Sequence, residues 1–300
     1  GCCHRFSDRP HNDAMTVRDA YDLLASVLEP LYGDREGNIM ARYLVEDLFA
    51  RPFHNEDLLT GDEDATLQQA VLRLQKYEPW QYVGGIADFY GLRFKVTPSV
   101  LIPRPETEEL VYQALADIKK FSLGSVMDVG TGSGIIAVTL SKKSPETTVT
   151  AIDISEEALS VARANADLHG VSVDFMCVDF LDKKLWTKLP VADLIVSNPP
   201  YIDRGEESTM HPNVLEHEPH IALFTAGHPL EFYEAMAEFV SKCQKPGCRI
   251  LAEISEFRSR EVHDLFVRWG FSDVAILQDL QGKDRMVTAR WQPAVTDSLP

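Results

Sequence analysis

From about residue 122 to 290 the chain alternates β-rich and helix-patterned segments, and this alternation limits the fold more than any other feature. Apolar, β-branched runs predict strands at 125–129, 148–153, 172–177, 192–197, 248–254, 272–278 and 285–290. Helical patterning between them is expected at 133–143, 155–169, 230–243 and 258–269. Alternating β and α over such a length implies α/β class and a mostly parallel sheet covered on both faces. The residues before it differ. Thr16 can cap a helix that carries Ala20, Leu23, Leu24, Val27 and Leu28 on one face, with Pro30 and Gly33 punctuating its end. A second helix carries Ile39, Tyr43, Leu44 and Leu48, and a third spans about 64–76 with Leu67, Val71 and Leu74. The expected organisation is a disordered stretch or extension over 1–15, a helical domain over 16–80, a linking β-hairpin in 81–100 centred on Phe89–Val96, and the α/β domain over 101–295. Met15 reads as a natural start, with 1–14 as an upstream extension.

Composition narrows the class. At 300 residues, 45% hydrophobic and 25% charged, the chain suits a soluble globular protein with a sizeable core. It has no run of about 18 apolar residues, so no membrane helix is expected. Lys and Arg number 29 against 46 Asp and Glu, for a net charge of −17. Such a chain lacks the basic footprint that usually supplies affinity for nucleic acid. The five cysteines, at 2, 3, 177, 243 and 248, form no C-x-x-C pair and read as reduced thiols in a cytoplasmic protein. The N-terminus has no apolar signal-peptide core. His211, His217 and His220 read as part of a solvated loop, and no metal site is expected.

Four motifs carry chemistry. The first is Asp128-Val129-Gly130-Thr131-Gly132-Ser133-Gly134, between a strand and a helix. Glycines permit a tight turn and close backbone approach to a ligand, and the helix start behind them offers free N–H groups. Gly132-x-Gly134-x-x-Ala137 fits a variant dinucleotide fingerprint, and no Walker lysine follows, so the turn allows a nucleotide-like cofactor without naming it. The second is Asp153, at the end of the next strand, where a carboxylate can bind both hydroxyls of a ribose. The third is Val178-Asp179-Phe180 after the third strand: Asp179 can accept from an adenine amine and Phe180 can pack on the base. The fourth is Asn198-Pro199-Pro200-Tyr201, which ends the apolar run Leu194–Ser197. Two prolines make a rigid turn without N–H donors. The Asn198 side chain and the Pro199 carbonyl can then both accept from one NH2 group, and Tyr201 offers a wall to a flat substrate. An amide or aromatic amine is a poor nucleophile, and two acceptors would orient its nitrogen towards an electrophile.

Taken in order, these motifs resemble the class I methyltransferases that use S-adenosylmethionine on planar nitrogens. The whole chain resembles the release factor glutamine methyltransferase (PrmC/HemK) family. Glu78 to Gly85, the hairpin ending in Phe94, Leu101-Ile102-Pro103-Arg104-Pro105-Glu106-Thr107-Glu108 and Gly282-Lys283-Asp284-Arg285 match segments of that family outside the shared core. The resemblance covers about 17 to 290. It implies a Rossmann-like domain with a seven-stranded sheet and a helical domain that recognises the substrate protein. It further implies N5-methylation of the glutamine in the Gly-Gly-Gln loop of class 1 peptide chain release factors, giving S-adenosylhomocysteine as the other product. Gly130, Thr131, Gly132, Ser133, Gly134, Asp153, Asp179, Phe180 and Asn198 are then the expected cofactor residues. Asn198, Pro199, Pro200 and Tyr201 are the expected substrate residues, with Asn198, Pro199 and Tyr201 catalytic. Arg104 and Thr107 are expected to shape the cofactor pocket. Phe180 stands where the family often has Trp. A cytoplasmic monomer that acts without metal, membrane or direct nucleic acid contact is the expectation. The competing enzyme is a nucleic acid amino-group methyltransferase, acting at N6 of adenine or N2 of guanine. A non-catalytic sensor of the cofactor and a nicotinamide oxidoreductase fit less of the pattern.

Overall fold

Thr16 opens the first helix through a reciprocal capping box: its hydroxyl accepts from the Asp19 N–H, and the Asp19 carboxylate accepts from the Thr16 N–H. The computed structural model of the chain describes residues 14–203, 205 and 212–293. Helix α1 (Val17–Tyr32) runs through Pro30 and is capped by Gly33, one of the two residues expected to punctuate its end. It is followed by α2 (Asp34–Phe49), α3 (Gly61–Gln75) and the short α4 (Trp80–Gly84). Leu24, Leu28, Leu44, Leu67 and Leu74 lie at the centre of the core of these helices, and Val83 of α4 joins them. The chain divides into two compact units, one up to Ile86 and one from Ala87. The cysteines at 2 and 3, His211 and the ends of the expected terminal segments lie outside the described residues.

The hairpin has strands β1 (Ile86–Phe89) and β2 (Leu92–Lys95), joined through Tyr90 and Gly91. Both turn residues have positive φ, 53° and 71°, as a tight hairpin turn between right-twisted strands requires. The larger unit continues with α5 (Pro105–Phe121), β3 (Ser125–Val129), α6 (Ile135–Lys143), β4 (Thr148–Asp153), α7 (Glu156–His169), β5 (Asp174–Cys177) and β6 (Leu194–Ser197). Then come α8 (Pro212–His217), α9 (His220–Leu223), α10 (Glu231–Cys243), β7 (Arg249–Glu253), α11 (Ser259–Arg268), β8 (Ser272–Gln278) and β9 (Asp284–Arg290). The seven strands of the sheet lie in the order β5-β4-β3-β6-β7-β9-β8, with β9 antiparallel to both neighbours and the other pairings parallel. This is the expected mostly parallel α/β sheet.

Strand periodicity sorts the side chains into two cores. Val126, Leu194, Val196 and Leu251 face one way, onto Leu110 and Ala114 of α5 and Ile136 and Leu140 of α6. Met127, Ile195, Ile250 and Ala252 face the other way, onto Met236 and Phe239 of α10 and Val262 and Phe266 of α11. Every residue of β6 and β7 is buried, and Leu194-Ile195-Val196 and Ile250-Leu251-Ala252 within them read as continuous apolar runs rather than alternating ones. The hairpin is tied to this unit by Asn165 of α7, which is fully buried. Its amide pairs with both backbone groups of Lys95 and donates to the Ser133 carbonyl at 2.9 Å. Among the described residues no helix is long and apolar enough to cross a membrane, and no cluster of three metal-ligating side chains occurs.

Three positions in and just after the first strand of the sheet bear on stability. Gly134 caps α6 with φ +81°, and a Cβ there would meet the Ala162 Cβ at 3.0 Å. Gly130 has φ +74° but open space around it. A left-handed non-glycine residue costs roughly 1–2 kcal/mol. Gly134→Ala is therefore expected to lower the urea midpoint, and to lower it further than Gly130→Ala, which adds no such contact. Asp128, fully buried in β3, accepts from the Thr131 hydroxyl at 2.7 Å and the Ala137 N–H at 3.2 Å, while its Oδ1 has no partner. Burial pushes its carboxyl up from 3.8 to about 7. The folded state thus keeps a proton that the unfolded chain releases. The stability this confers is complete below the lower value and is lost as pH rises through the upper one. Urea midpoints across that interval should fall less steeply with rising pH in Asp128→Asn than in the parent chain.

Candidate active site

Chain order makes the cleft. The chain goes from the central β3 outwards to β4 and β5, then returns to the other side of β3 as β6. Loops leaving β3 and β6 therefore diverge to opposite faces, and open α/β sheets bind ligands in the crevice that results. The Ser197 hydroxyl, at the end of β6, donates to the Val129 carbonyl at the end of β3 at 2.7 Å. This bond holds the glycine turn and the Asn-Pro-Pro-Tyr turn side by side.

A cleft of about 270 Å³ opens at these carboxyl ends. Gly130, Thr131, Gly132, Ser133, Asp153, Asp179, Phe180, Asn198 and Pro200 all line it. Of the expected site residues, Gly134, Pro199 and Tyr201 do not. Gly134 instead allows the start of α6 to pack against α7. The glycine turn is anchored from below, with the Gly130 and Thr131 N–H groups both donating to the Ile152 carbonyl. Gly132 donates its N–H to Asp153 Oδ2 at 2.9 Å, and Ser155 donates to Oδ1 at 2.9 Å. Burial raises the Asp153 carboxyl above its usual range, and these N–H donors pull it back down. With the Ile154 N–H as a further donor, the carboxylate keeps acceptor capacity for a ligand hydroxyl. Asp179 is half-buried and receives the Leu181 N–H. The ring of Phe180 is turned into the core, 5.4 Å from Phe239 edge-on and 5.9 Å from Trp186, and the Trp186 indole donates to the Phe180 carbonyl. Phe180 therefore meets the cleft from its core side.

Asn198 is half-buried and donates from Nδ2 to Thr107 Oγ1 at 3.1 Å. The Thr107 hydroxyl donates in turn to Glu253 Oε2 at 2.8 Å, and the Tyr201 hydroxyl donates to Glu253 Oε1 at 3.1 Å. Glu253 ends β7, is 3% exposed, and has its carboxyl raised by burial. Burial and the neighbouring Glu253 keep the Tyr201 phenol protonated. The Tyr233 hydroxyl donates to the Glu253 carbonyl. Buried Glu218 accepts from Arg104 at 2.6 Å and from the Ile102 N–H at 3.2 Å. This pair ties the Pro-Arg-Pro segment to the stretch that brings Pro219, Ile221, Ala222 and Phe224 to the cleft. Sequence reasoning missed both glutamates. Glu253 carried a signal, a charge closing the apolar run Ile250-Leu251-Ala252. Glu218 carried none, lying in the unpatterned stretch after the proline turn.

The site is thus a glycine turn held down by its own N–H groups, a carboxylate on the neighbouring strand and an oriented amide beside them. Comparison with known proteins points the same way. The Methyltransferase small domain family matches residues 108–228. Among relatives, the release factor glutamine methyltransferase of Bacteroides thetaiotaomicron is 39% identical over 233 residues, covering 77% of this chain and 83% of that protein. That of Streptococcus pneumoniae is 41% identical over 235 residues, covering 77% and 82%. That of Koribacter versatilis is 40% identical over 243 residues, covering 81% and 84%. In fold the chain is similar to the hMettl16 catalytic domain solved in complex with a 3'UTR hairpin: TM-score 0.55, 14% identity, 86% of this chain and 92% of that one. Identities near 40% across most of both chains, together with the fold and the ordered motifs of the cleft, make the chain a member of the release factor glutamine methyltransferase family.

Proposed function

We propose that the protein methylates the side-chain nitrogen of the glutamine in the Gly-Gly-Gln loop of peptide chain release factors, using S-adenosylmethionine. The observation that carries this reading is Asn198, held by its own NH2 group at the mouth of the cleft beside the glycine turn. A cofactor with a ribose, an adenine and a charged amino acid tail suits the lining. Asp153 offers carboxylate oxygens to ribose hydroxyls, Asp179 an acceptor to the adenine amine, and Gly130 to Ser133 a backbone surface without bulky side chains. When bound, S-adenosylmethionine would supply a methyl group on a positively charged sulfur; as the nitrogen takes the methyl the C–S bond breaks, the sulfur leaves as the neutral thioether of S-adenosylhomocysteine, and the nitrogen releases one of its two protons to solvent.

The chain's contribution is orientation. The glutamine amide is planar and its nitrogen lone pair is delocalised. In this reading Asn198 Oδ1 accepts one of its hydrogens and the carbonyl of Pro199, which adjoins the cleft without lining it, accepts the other, which places the nitrogen towards the cleft. Holding two reactants in an attack geometry can remove about 7–11 kcal/mol of barrier in favourable cases. The same acceptors offset desolvation of the amide, which costs roughly 1–3 kcal/mol per unsatisfied group. Tyr201 is held against Glu253 and acts as a fixed wall behind the proline turn rather than as a proton donor to substrate. The net charge of −17 and the relatives' names favour a protein substrate over the nucleic acid alternative.

Labelled methyl transfer tests the reading. Label should pass to a purified release factor, and not to the same factor with its loop glutamine changed to alanine, nor to DNA or RNA. Asn198→Ala should lower turnover by about a hundredfold or more while leaving cofactor affinity within about threefold. Label on nucleic acid alone would exclude the release factor as substrate. Equal losses of turnover and cofactor affinity would remove Asn198 from the substrate side of the site.

A further inference from the structure

We propose that Glu253 and Thr107 are positioning residues that fix which end of the Asn198 amide faces the substrate. The inference rests on the reading of Asn198 given above and adds the device that sets its orientation. An asparagine amide has an acceptor end and a donor end of nearly the same shape. Only one of its two orientations can hold a substrate NH2 group. Packing alone does not choose between them, because oxygen and NH2 fill almost the same space.

The hydrogen-bond chain does choose. Glu253 receives two hydroxyls, Tyr201 on Oε1 and Thr107 on Oε2. With its only proton committed to Glu253, the Thr107 oxygen can do nothing but accept. Its partner within reach is Asn198, which must therefore turn Nδ2 towards it, as observed at 3.1 Å. Oδ1 is then left for the substrate. An acceptor in β7 thus sets the polarity of a side chain at the end of β6 through a threonine in the first turn of α5. Thr107 is fully buried and Glu253 nearly so, which leaves no bulk water to scramble the order. Glu253 has no ion-pair partner among the described salt bridges, and the nearby charges that act on it are Arg285 and Glu106. A buried carboxylate whose partners are two hydroxyls adds little stability for its desolvation. Its place in the chain fits a directional role instead.

Isosteric substitutions separate this from a packing role. Glu253→Gln can present an NH2 group to Thr107, which frees the threonine proton to donate to Asn198 and admits the reversed amide. Thr107→Val keeps the shape and removes the link. Each is expected to lower kcat for release factor methylation at least about tenfold; cofactor Kd should change less than about twofold in Glu253→Gln and, since Thr107 also lines the cleft, by several-fold less than kcat in Thr107→Val. Thr107→Ser, which restores the hydroxyl, should recover most of the loss. The double variant should be scarcely worse than either single one, since both break the same chain. Should buried Glu253→Gln fail to fold, Thr107→Val and its serine rescue carry the test. Asn198→Ala is measured beside them. If it is inactive while Thr107→Val turns over like the parent chain, the positioning chain is refuted and the site reading stands. If Asn198→Ala is itself fully active, the site reading fails first. Loss of cofactor affinity in step with kcat, or no rescue by serine, would also overturn the proposal.

Discussion

The seam between β3 and β6 is the constraint on which the rest of the cleft depends. These strands are neighbours in the sheet although β4, β5 and two helices separate them in sequence. Their register, Val126 with Leu194 through Val129 with Ser197, brings both strands to an end at the same height. The Ser197–Val129 hydrogen bond closes the seam at its top. Because the register is fixed there, a glycine turn that begins at residue 130 and a proline turn that begins at residue 198 stand beside each other. A slip of one residue would reverse the facing of Leu194, Ile195 and Val196 between the two cores. The packing on both faces therefore protects the alignment of the cleft.

Fold and site were legible to different degrees. The strands of the sheet were legible because buried parallel strands are short, apolar and bounded by turn residues, and most expected boundaries agree with those observed. The edges were less clear. Strand β5 begins at Asp174 rather than at 172, where the Ser172 carbonyl accepts from the Ser141 hydroxyl of α6, and β6 begins at Leu194 rather than at 192, where the Ala192 N–H donates to the Gln244 side chain. Helix α4 was not expected: Trp80–Gly84 is a single turn after a proline, too short for a periodic pattern, and its Val83 is recruited by tertiary packing.

At the site, motifs continuous in sequence were legible and contacts made across the fold were not. Gly130 to Gly132, Asp153 and Asn198 could be placed because each follows a strand that ends at the same edge. The rotation of Phe180 could not: Asp179-Phe180 allows the ring to lie on either side, and only Trp186 and Phe239 settle that it turns into the core. Tyr201 likewise reads as a substrate wall in sequence, yet its hydroxyl is engaged by Glu253, which is fifty-two residues away. Pairings such as Thr107 with Glu253 or Arg104 with Glu218 join segments more than a hundred residues apart, beyond the reach of any local pattern.

The Asn165 clasp has a consequence for how the molecule opens. One fully buried amide satisfies both backbone groups of Lys95 and the carbonyl of Ser133. Pulling the hairpin away would strand an amide in the interior and loosen the glycine turn in the same event. The hairpin and the turn therefore form one cooperative unit of exchange, and slow deuterium uptake at Lys95 becomes a reporter of order in the turn. Anything that settles into the cleft and steadies Ser133 would be felt at the hairpin, without touching it.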